Sequence, residues 1–259
     1  MLFAPVQTRR TFEEAVGQIA EKIKMGELRV GDRLPSERAL AEMMQISRPT
    51  LREAVKILQD SGLIDVRRGS GGGMFVVADY VPPELVAERR ELRIGEVAQV
   101  LEARRMVEPQ VAQLAAMRAT EDDYQALERT IEAQYKVIEG GQILREGRED
   151  RFLQLDVQFH LCLARATGNG MITSLVRQLY RELEIARDMA MHHEPVALWA
   201  VEIHERTLVA IRSGDLEAVD LVMDEHLSQL EQTWEQETGR SLVRPTPAFL
   251  ARVAARRGG

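Results

Sequence analysis

The sequence predicts a mostly α-helical protein in two parts, an N-terminal winged helix-turn-helix and a C-terminal antiparallel all-helical bundle. Three observations predict it. Between Arg33 and Ala54, two short helical segments meet at a tight turn, and the second opens with Ser47-Arg48-Pro49-Thr50 and Arg52. Two short apolar runs then flank a glycine run, Gly71-Gly72-Gly73. From Ile94 onward the apolar residues keep helical spacing, with short polar or glycine breaks and no convincing strand.

In the N-terminal part, residues 1–78, Thr11 with Glu14 forms a capping box, and Phe12, Val16, Ile19 and Ile23 make one apolar stripe. Gly26 and Val30-Gly31-Asp32 end that helix. Ser36 caps a second helix with Leu40, Ala41 and Met44 inward. Ser47 caps a third, where Pro49 sits in the first turn and its missing N–H costs nothing. Leu51, Ala54, Val55 and Leu58 face the core, which leaves Arg48, Thr50 and Arg52 pointing outward until Gly62 stops the helix. A helix tip bearing hydroxyls and arginines suits a DNA major groove, because Arg can make two hydrogen bonds to a guanine edge. Leu63 to Arg67 and Met74 to Val77 read as the strands of a wing whose glycines admit close backbone approach and whose Arg67 and Arg68 supply charge.

Residues 79–93, with Pro82-Pro83, read as a linker or a short connecting helix. Residues 94–240 hold about six helices, with breaks near Ala119-Thr120, Gly140-Gly141, Gly168-Asn169-Gly170, Glu194-Pro195 and Ser213-Gly214-Asp215, stacked antiparallel because their connections are short. Residues 241–259, with Arg252, Arg256 and Arg257, read as a tail that is disordered or weakly attracted to phosphate. Asp156 and His160, four apart, leave one helix face a turn apart. His204 and His226 lie at similar distances on either side of the Ser213-Gly214-Asp215 turn, and so at similar depth. Three imidazoles and one carboxylate suit a borderline divalent metal with one or two positions left open. The bland alternative is that each histidine is an ordinary surface or core residue. Trp199 and Trp234 read as packing residues, and the adjacent His192 and His193 as helix-end residues that meet solvent or the dipole.

The chain carries a net charge of −7, unevenly spread. Residues 1–78 hold 12 Lys+Arg against 10 Asp+Glu, and 79–259 hold 22 against 31, so the first part is the DNA candidate. No apolar run is long enough to span a bilayer, and the N-terminus lacks the pattern of a secretory leader, so no membrane partner and a cytoplasmic location are expected. The single cysteine, Cys162, forms no intrachain disulfide and reads as a small buried side chain.

Leu34-Pro35-Ser36-Glu37-Arg38, Ser47-Arg48-Pro49-Thr50-Leu51-Arg52-Glu53-Ala54 and the glycine wing resemble the winged helix-turn-helix of the GntR superfamily. Leu101-Glu102-Ala103-Arg104-Arg105-Met106-Val107-Glu108-Pro109, Asp156 to His160, Gly168-Asn169, His204, and Gly214 to Leu227 resemble the FCD ligand-binding domain of its FadR-type subgroup. The resemblance covers about 11–235. It implies that Arg38, Arg48, Thr50, Arg52 and Gly69 contact operator DNA, to which Ser47 and Arg68 are added. It implies that Asp156, His160, His204 and His226 hold a metal, and that Arg104 reaches an effector carboxylate through its planar fork. For Arg104 the alternative is an ion pair with Glu108. Asn169 is the second effector candidate, against a plain turn role.

The function so expected is that of a homodimeric, sequence-specific transcription regulator, read as a repressor, acting on double-stranded operator DNA. A small organic acid at a divalent metal, zinc first and nickel or manganese as alternatives, would control operator affinity. Three other readings stay open: the metal itself as the signal, a purely structural metal, and a helical metalloenzyme. The last is opposed by the helix-turn-helix and by the lack of an added general base.

Overall fold

A computed structural model describes residues 11–69, 71–86, 94–139, 148–190 and 194–244. The chain divides into two units, Met1–Arg90 and Glu91–Gly259. In the first, α1 (Thr11–Lys24), α2 (Glu37–Met43) and α3 (Arg48–Asp60) precede β1 (Ile64–Arg67) and β2 (Gly73–Val76). Caps set these boundaries. Ser36 Oγ accepts from the Ala39 amide at 3.3 Å, and Ser47 Oγ accepts from the Thr50 amide at 3.2 Å, each satisfying a first-turn donor. Between α2 and α3, Gln45 takes a left-handed φ of 54°, so the turn is made without glycine. Gly62, at φ 75°, ends α3 as expected.

The apolar stripe of α1 (Val16, Ile19, Ile23) meets Leu51, Ala54, Val55 and Leu58 of α3, with Leu63, Ile64, Met74 and Val76 closing the core from the hairpin. The strands pair antiparallel, Ile64 with Val76 and Arg67 with Gly73. Arg33 bridges to Phe75 on the far side of β2, and its Nη2 donates to the Gly72 carbonyl at 2.5 Å. Part of the expected linker belongs to this unit: Val81 is buried in its core, and Leu85 and Val86 flank it around a short 3-10 helix, Pro83–Leu85.

The second unit contains α4 (Ile94–Arg118), α5 (Glu121–Glu139), α6 (Arg148–Ala166), α7 (Gly170–Ala190), α8 (Glu194–Ser213) and α9 (Leu216–Thr238), the six helices read from the sequence. Helix α4 runs through the middle and packs against α6, α7, α8 and α9. That position explains why its apolar residues form no single stripe: Leu101, Val111, Ala112 and Ala115 are buried alongside the charged Arg104, Arg105 and Glu108. Pro109 lies inside α4, where it removes one link of the hydrogen-bond ladder. Asp215 Oδ1 caps α9 by accepting from the Glu217 and Ala218 amides at 3.0 and 3.2 Å.

Three sequence expectations need amending. The tail is not loose from 241: Leu242 is buried, its amide donates to Glu235, and Arg244 pairs with Glu231 and Glu235 at 2.7 and 2.6 Å. Cys162 is half-buried rather than buried. Trp234 is buried as a packing residue should be, while Trp199 is only partly so. The break expected at Gly140-Gly141 and the tail arginines Arg252, Arg256 and Arg257 lie outside the described residues.

The Ser47 cap gives a direct test. Ser47→Ala should destabilise the N-terminal unit by about 1 kcal/mol and Ser47→Gly by only a few tenths, as read from the denaturant midpoint of that unit's transition.

Candidate nucleic-acid interface and metal centre

The outward face of α3 carries the expected cations. The side chains of Arg48 and Arg52 are 59% and 60% exposed, and both reach only loosely toward Glu37, at 3.8 and 3.7 Å. Pairs this exposed are worth at most about 1 kcal/mol and exchange readily for a phosphate or a base edge. Arg38 is likewise exposed, its Nε donating to Glu42 at 3.0 Å one turn along α2. Ser47 Oγ and Thr50 Oγ1 sit 2.7 Å apart at the tip of α3, so capping and presentation share the same hydroxyls. In the wing the two arginines differ. Arg67 lies over the Phe75 ring at 4.5 Å and donates to Asp65 at 3.0 Å, whereas Arg68 is exposed near the tip. Gly69 has φ 102°, and a Cβ at Gly72 would meet the Arg67 carbonyl oxygen at 2.4 Å, so the tip's backbone needs glycine at both places.

In the second unit, α6 supplies His160, α8 supplies His204 and α9 supplies His226, and all three are buried. Their candidate donor nitrogens lie within 4.8 Å of one another. A single ion at roughly 2.1 Å from each nitrogen would draw them closer together than this. The rings are held by neighbours: Phe159 stacks on His204 with centroids 3.9 Å apart, and Tyr180 of α7 stacks on His160 at 4.7 Å. Asp156 borders the group, its Oδ1 3.4 Å from His204 Nε2. Thus the structure gathers the four residues singled out from the sequence, with the histidines as the compact set and the carboxylate beside one of them.

Beneath this group runs a buried charged chain. Arg104 Nε donates to Glu108 Oε1 at 2.5 Å and its Nη2 donates to the Tyr180 hydroxyl at 3.1 Å, while that hydroxyl donates to the same carboxylate oxygen at 2.9 Å. The other carboxylate oxygen, Oε2, is 2.9 Å from His160 Nδ1, close but out of hydrogen-bond alignment. Burial alone would raise the Glu108 acid, but the Arg104 guanidinium and His160 hold it far below the ordinary carboxylate range. Burial lowers the pKa of His160 and, more strongly, that of His226, which His160, His204 and Arg104 depress further. His160 and His226 are therefore biased toward the neutral imidazole, the form that ligates. A second buried chain, Arg105 with Glu231 at 2.6 Å and with Asp224, ties α4 to α9.

These residues fit a divalent metal. Both ring nitrogens of His160 and the Nδ1 of His226 are buried with no hydrogen-bond partner, and buried polar atoms in that state are rare unless something outside the chain satisfies them. Neutral nitrogen donors with a carboxylate alongside are the donor chemistry of zinc and its neighbours. The two effector candidates stand differently. Arg104 makes the ion pair with Glu108 that was the alternative for it, leaving Nη1 outside both of its contacts. Asn169 Oδ1 accepts from the Met171 and Ile172 amides, so it caps α7, about three turns from Tyr180. His192 and His193 lie outside the described residues.

Sequence reasoning missed Tyr180 and Gln134. Gln134 of α5 is fully buried, and its Oε1 lies 2.9 Å from His204 Nδ1. Neither residue belongs to a motif, and only the helix spacing of α5 and α7 marks them as inward.

Residues 99–229 match the FCD domain family, and residues 11–76 match the bacterial regulatory proteins of the gntR family. Among curated proteins, the Exu regulon transcriptional regulator of Escherichia coli K12 is 29% identical over 85% of this chain and 83% of its own length. The HTH-type transcriptional regulator LutR of Bacillus subtilis is 30% identical over 81% of this chain and 94% of its own. Among solved structures, a Streptococcus agalactiae GntR is 26% identical, covers 86% of this chain and 99% of its own, and superposes with a TM-score of 0.46.

The depressed histidines set a pH dependence. In the unfolded chain a histidine titrates near 6.5. In the fold His160 and His226 resist protonation, so below that value the unfolded state binds the additional protons. Stability of the metal-free protein should be full above about pH 6.5 and lost progressively as pH falls below it, by up to about 1.4 kcal/mol per unit for each histidine. Thermal melts of chelator-treated protein between about pH 7.5 and about pH 5 check the sign.

Proposed function

Because this chain belongs to the gntR family of bacterial regulatory proteins and carries an FCD domain, it is a transcription regulator and not an enzyme, and we propose that its operator affinity is set by a small carboxylic acid bound at a divalent metal. The observation that carries the proposal is the trio of buried imidazoles brought together from three different helices. His160, His204 and His226, with Asp156, would hold the ion, and the ion would supply a Lewis-acidic position for an oxygen of the effector. Arg104 would meet the acid's carboxylate through Nη1 or by exchanging Glu108 for it, since a guanidinium fork serves either partner. Asn169, as the cap of α7, supports this role least.

On the DNA side, the proposal is a homodimer that sets two α3 helices in successive major grooves of a near-palindromic operator and represses from there. Arg48 and Arg52 would read bases. Ser47, Thr50 and Arg38 would hold backbone, and Arg68 with Gly69 would reach the neighbouring groove. The exposure of those arginines and their loose pairing to Glu37 support the reading. The relatives are named for a regulon or as transcriptional regulators, which suits control of a small set of genes.

One observation favours a second reading, in which the metal itself is the signal. Arg104 is already engaged by Glu108 and Tyr180, which supports a centre that works without an acid. Titrating zinc against operator affinity, with and without small hydroxy- and dicarboxylic acids, separates the two. A response to acid only when metal is present supports the first reading, and a response to metal alone supports the second.

For the interface, Arg48→Ala and Arg52→Ala should each weaken operator binding by about 1–3 kcal/mol, or roughly 5- to 150-fold. Helix content should stay unchanged by circular dichroism. Unaltered sequence-specific affinity in both variants, measured by mobility shift at fixed salt, would refute the docking arrangement.

A further inference from the structure

Gln134 lies on α5, a helix that donates no histidine, yet its side chain is fully buried against His204. The His204 ring is fixed in place by Phe159, stacked at 3.9 Å, so the main freedom left to it is which nitrogen carries the proton. Nδ1 lies 2.9 Å from Gln134 Oε1, and Nε2 lies 3.4 Å from Asp156 Oδ1. A neutral imidazole has one N–H and one lone pair, so it cannot donate to both oxygens.

The two tautomers have different consequences. With the proton on Nδ1, His204 donates to Gln134 and turns the Nε2 lone pair toward the Asp156 oxygen. Two acceptors then face one another, an arrangement that a cation between them relieves. With the proton on Nε2, His204 faces Asp156 as a donor and its Nδ1 needs a donor in turn. A primary amide can meet either need from one position, by presenting its oxygen or by rotating to present its NH2. In the present orientation Gln134 Nε2 is buried without a partner, so the amide is held by what its oxygen accepts.

We propose that Gln134 is a positioning residue that takes the Nδ1 proton of His204 as an acceptor and so makes Nε2 the metal donor. The proposal rests on the metal-site reading above. An outer partner that fixes a ligand's tautomer typically changes metal affinity by about 10- to 100-fold when removed.

The test uses the full chain and zinc as the probe. Gln134→Leu, which can neither accept nor donate, should bind zinc about 10- to 100-fold more weakly in a chelator competition. Gln134→Glu, which only accepts, should restore binding to the wild-type range, a rescue that mere filling of space would not give. In the zinc-loaded wild-type protein, ¹⁵N spectra of labelled histidines should show His204 protonated at Nδ1 and bound through Nε2. That readout stands even if the Leu variant fails to fold. Zinc binding by Gln134→Leu equal to wild type, binding by Gln134→Glu as weak as by Gln134→Leu, or a His204 metallated at Nδ1 would each overturn the proposal. If wild-type protein binds no zinc at all, the metal-site reading falls with it, whereas normal wild-type binding with indifferent Gln134 variants removes the tautomer role alone.

Discussion

Placing three imidazoles and an ion pair in the centre of a helical unit is expensive, and the rest of that unit is arranged around the cost. A buried ion pair such as Arg104 with Glu108 seldom repays its own desolvation relative to apolar residues of the same size. Its presence beside the histidines therefore points to a task other than stability. Arg104 and Glu108 cancel in charge, yet they act unequally on their neighbours. The guanidinium helps keep His226 neutral, and the carboxylate lies against His160. The helices hold this cluster from every side: α4 provides the pair, α7 the tyrosine that bridges it, α5 the glutamine, and α6, α8 and α9 the rings.

The N-terminal unit follows the opposite physics. The cations on the outward face of α3, Arg48 and Arg52, stand in water, loosely paired, and contribute little to folding; the core of α1, α3 and the hairpin carries that load. Folding and presentation can then be nearly independent, apart from the tip of α3. There Ser47 and Thr50 serve both as cap and as the polar edge of the exposed face. One unit keeps its charges cheap to exchange, while the other keeps them costly to disturb.

Much of this was legible in the chain. The caps at Ser36, Ser47 and Asp215, together with the helix-ending Gly62, are local signals, and the helix boundaries follow them closely. The inward set Leu51, Ala54, Val55 and Leu58 follows from helical spacing alone. The histidines were recognisable because of their rarity and the symmetry of His204 and His226 about one turn. Other features depend on tertiary packing and leave no local trace. Gln134 and Tyr180 are ordinary helix residues until α5 and α7 pack, and Arg105 meets Glu231 across nearly half of the chain. The seating of the connector after β2 is hard to read for a related reason: its prolines and charges mask one apolar residue, Val81, which joins the first core.

Pro109 gives the central helix a mechanical character that its length alone would not suggest. It follows Glu108 directly, so the missing backbone link falls beside the most tightly held carboxylate of the unit. A helix yields most easily where its ladder is already incomplete. The contact of Arg104 with Glu108 therefore sits next to the place in α4 where proline removes a backbone bond.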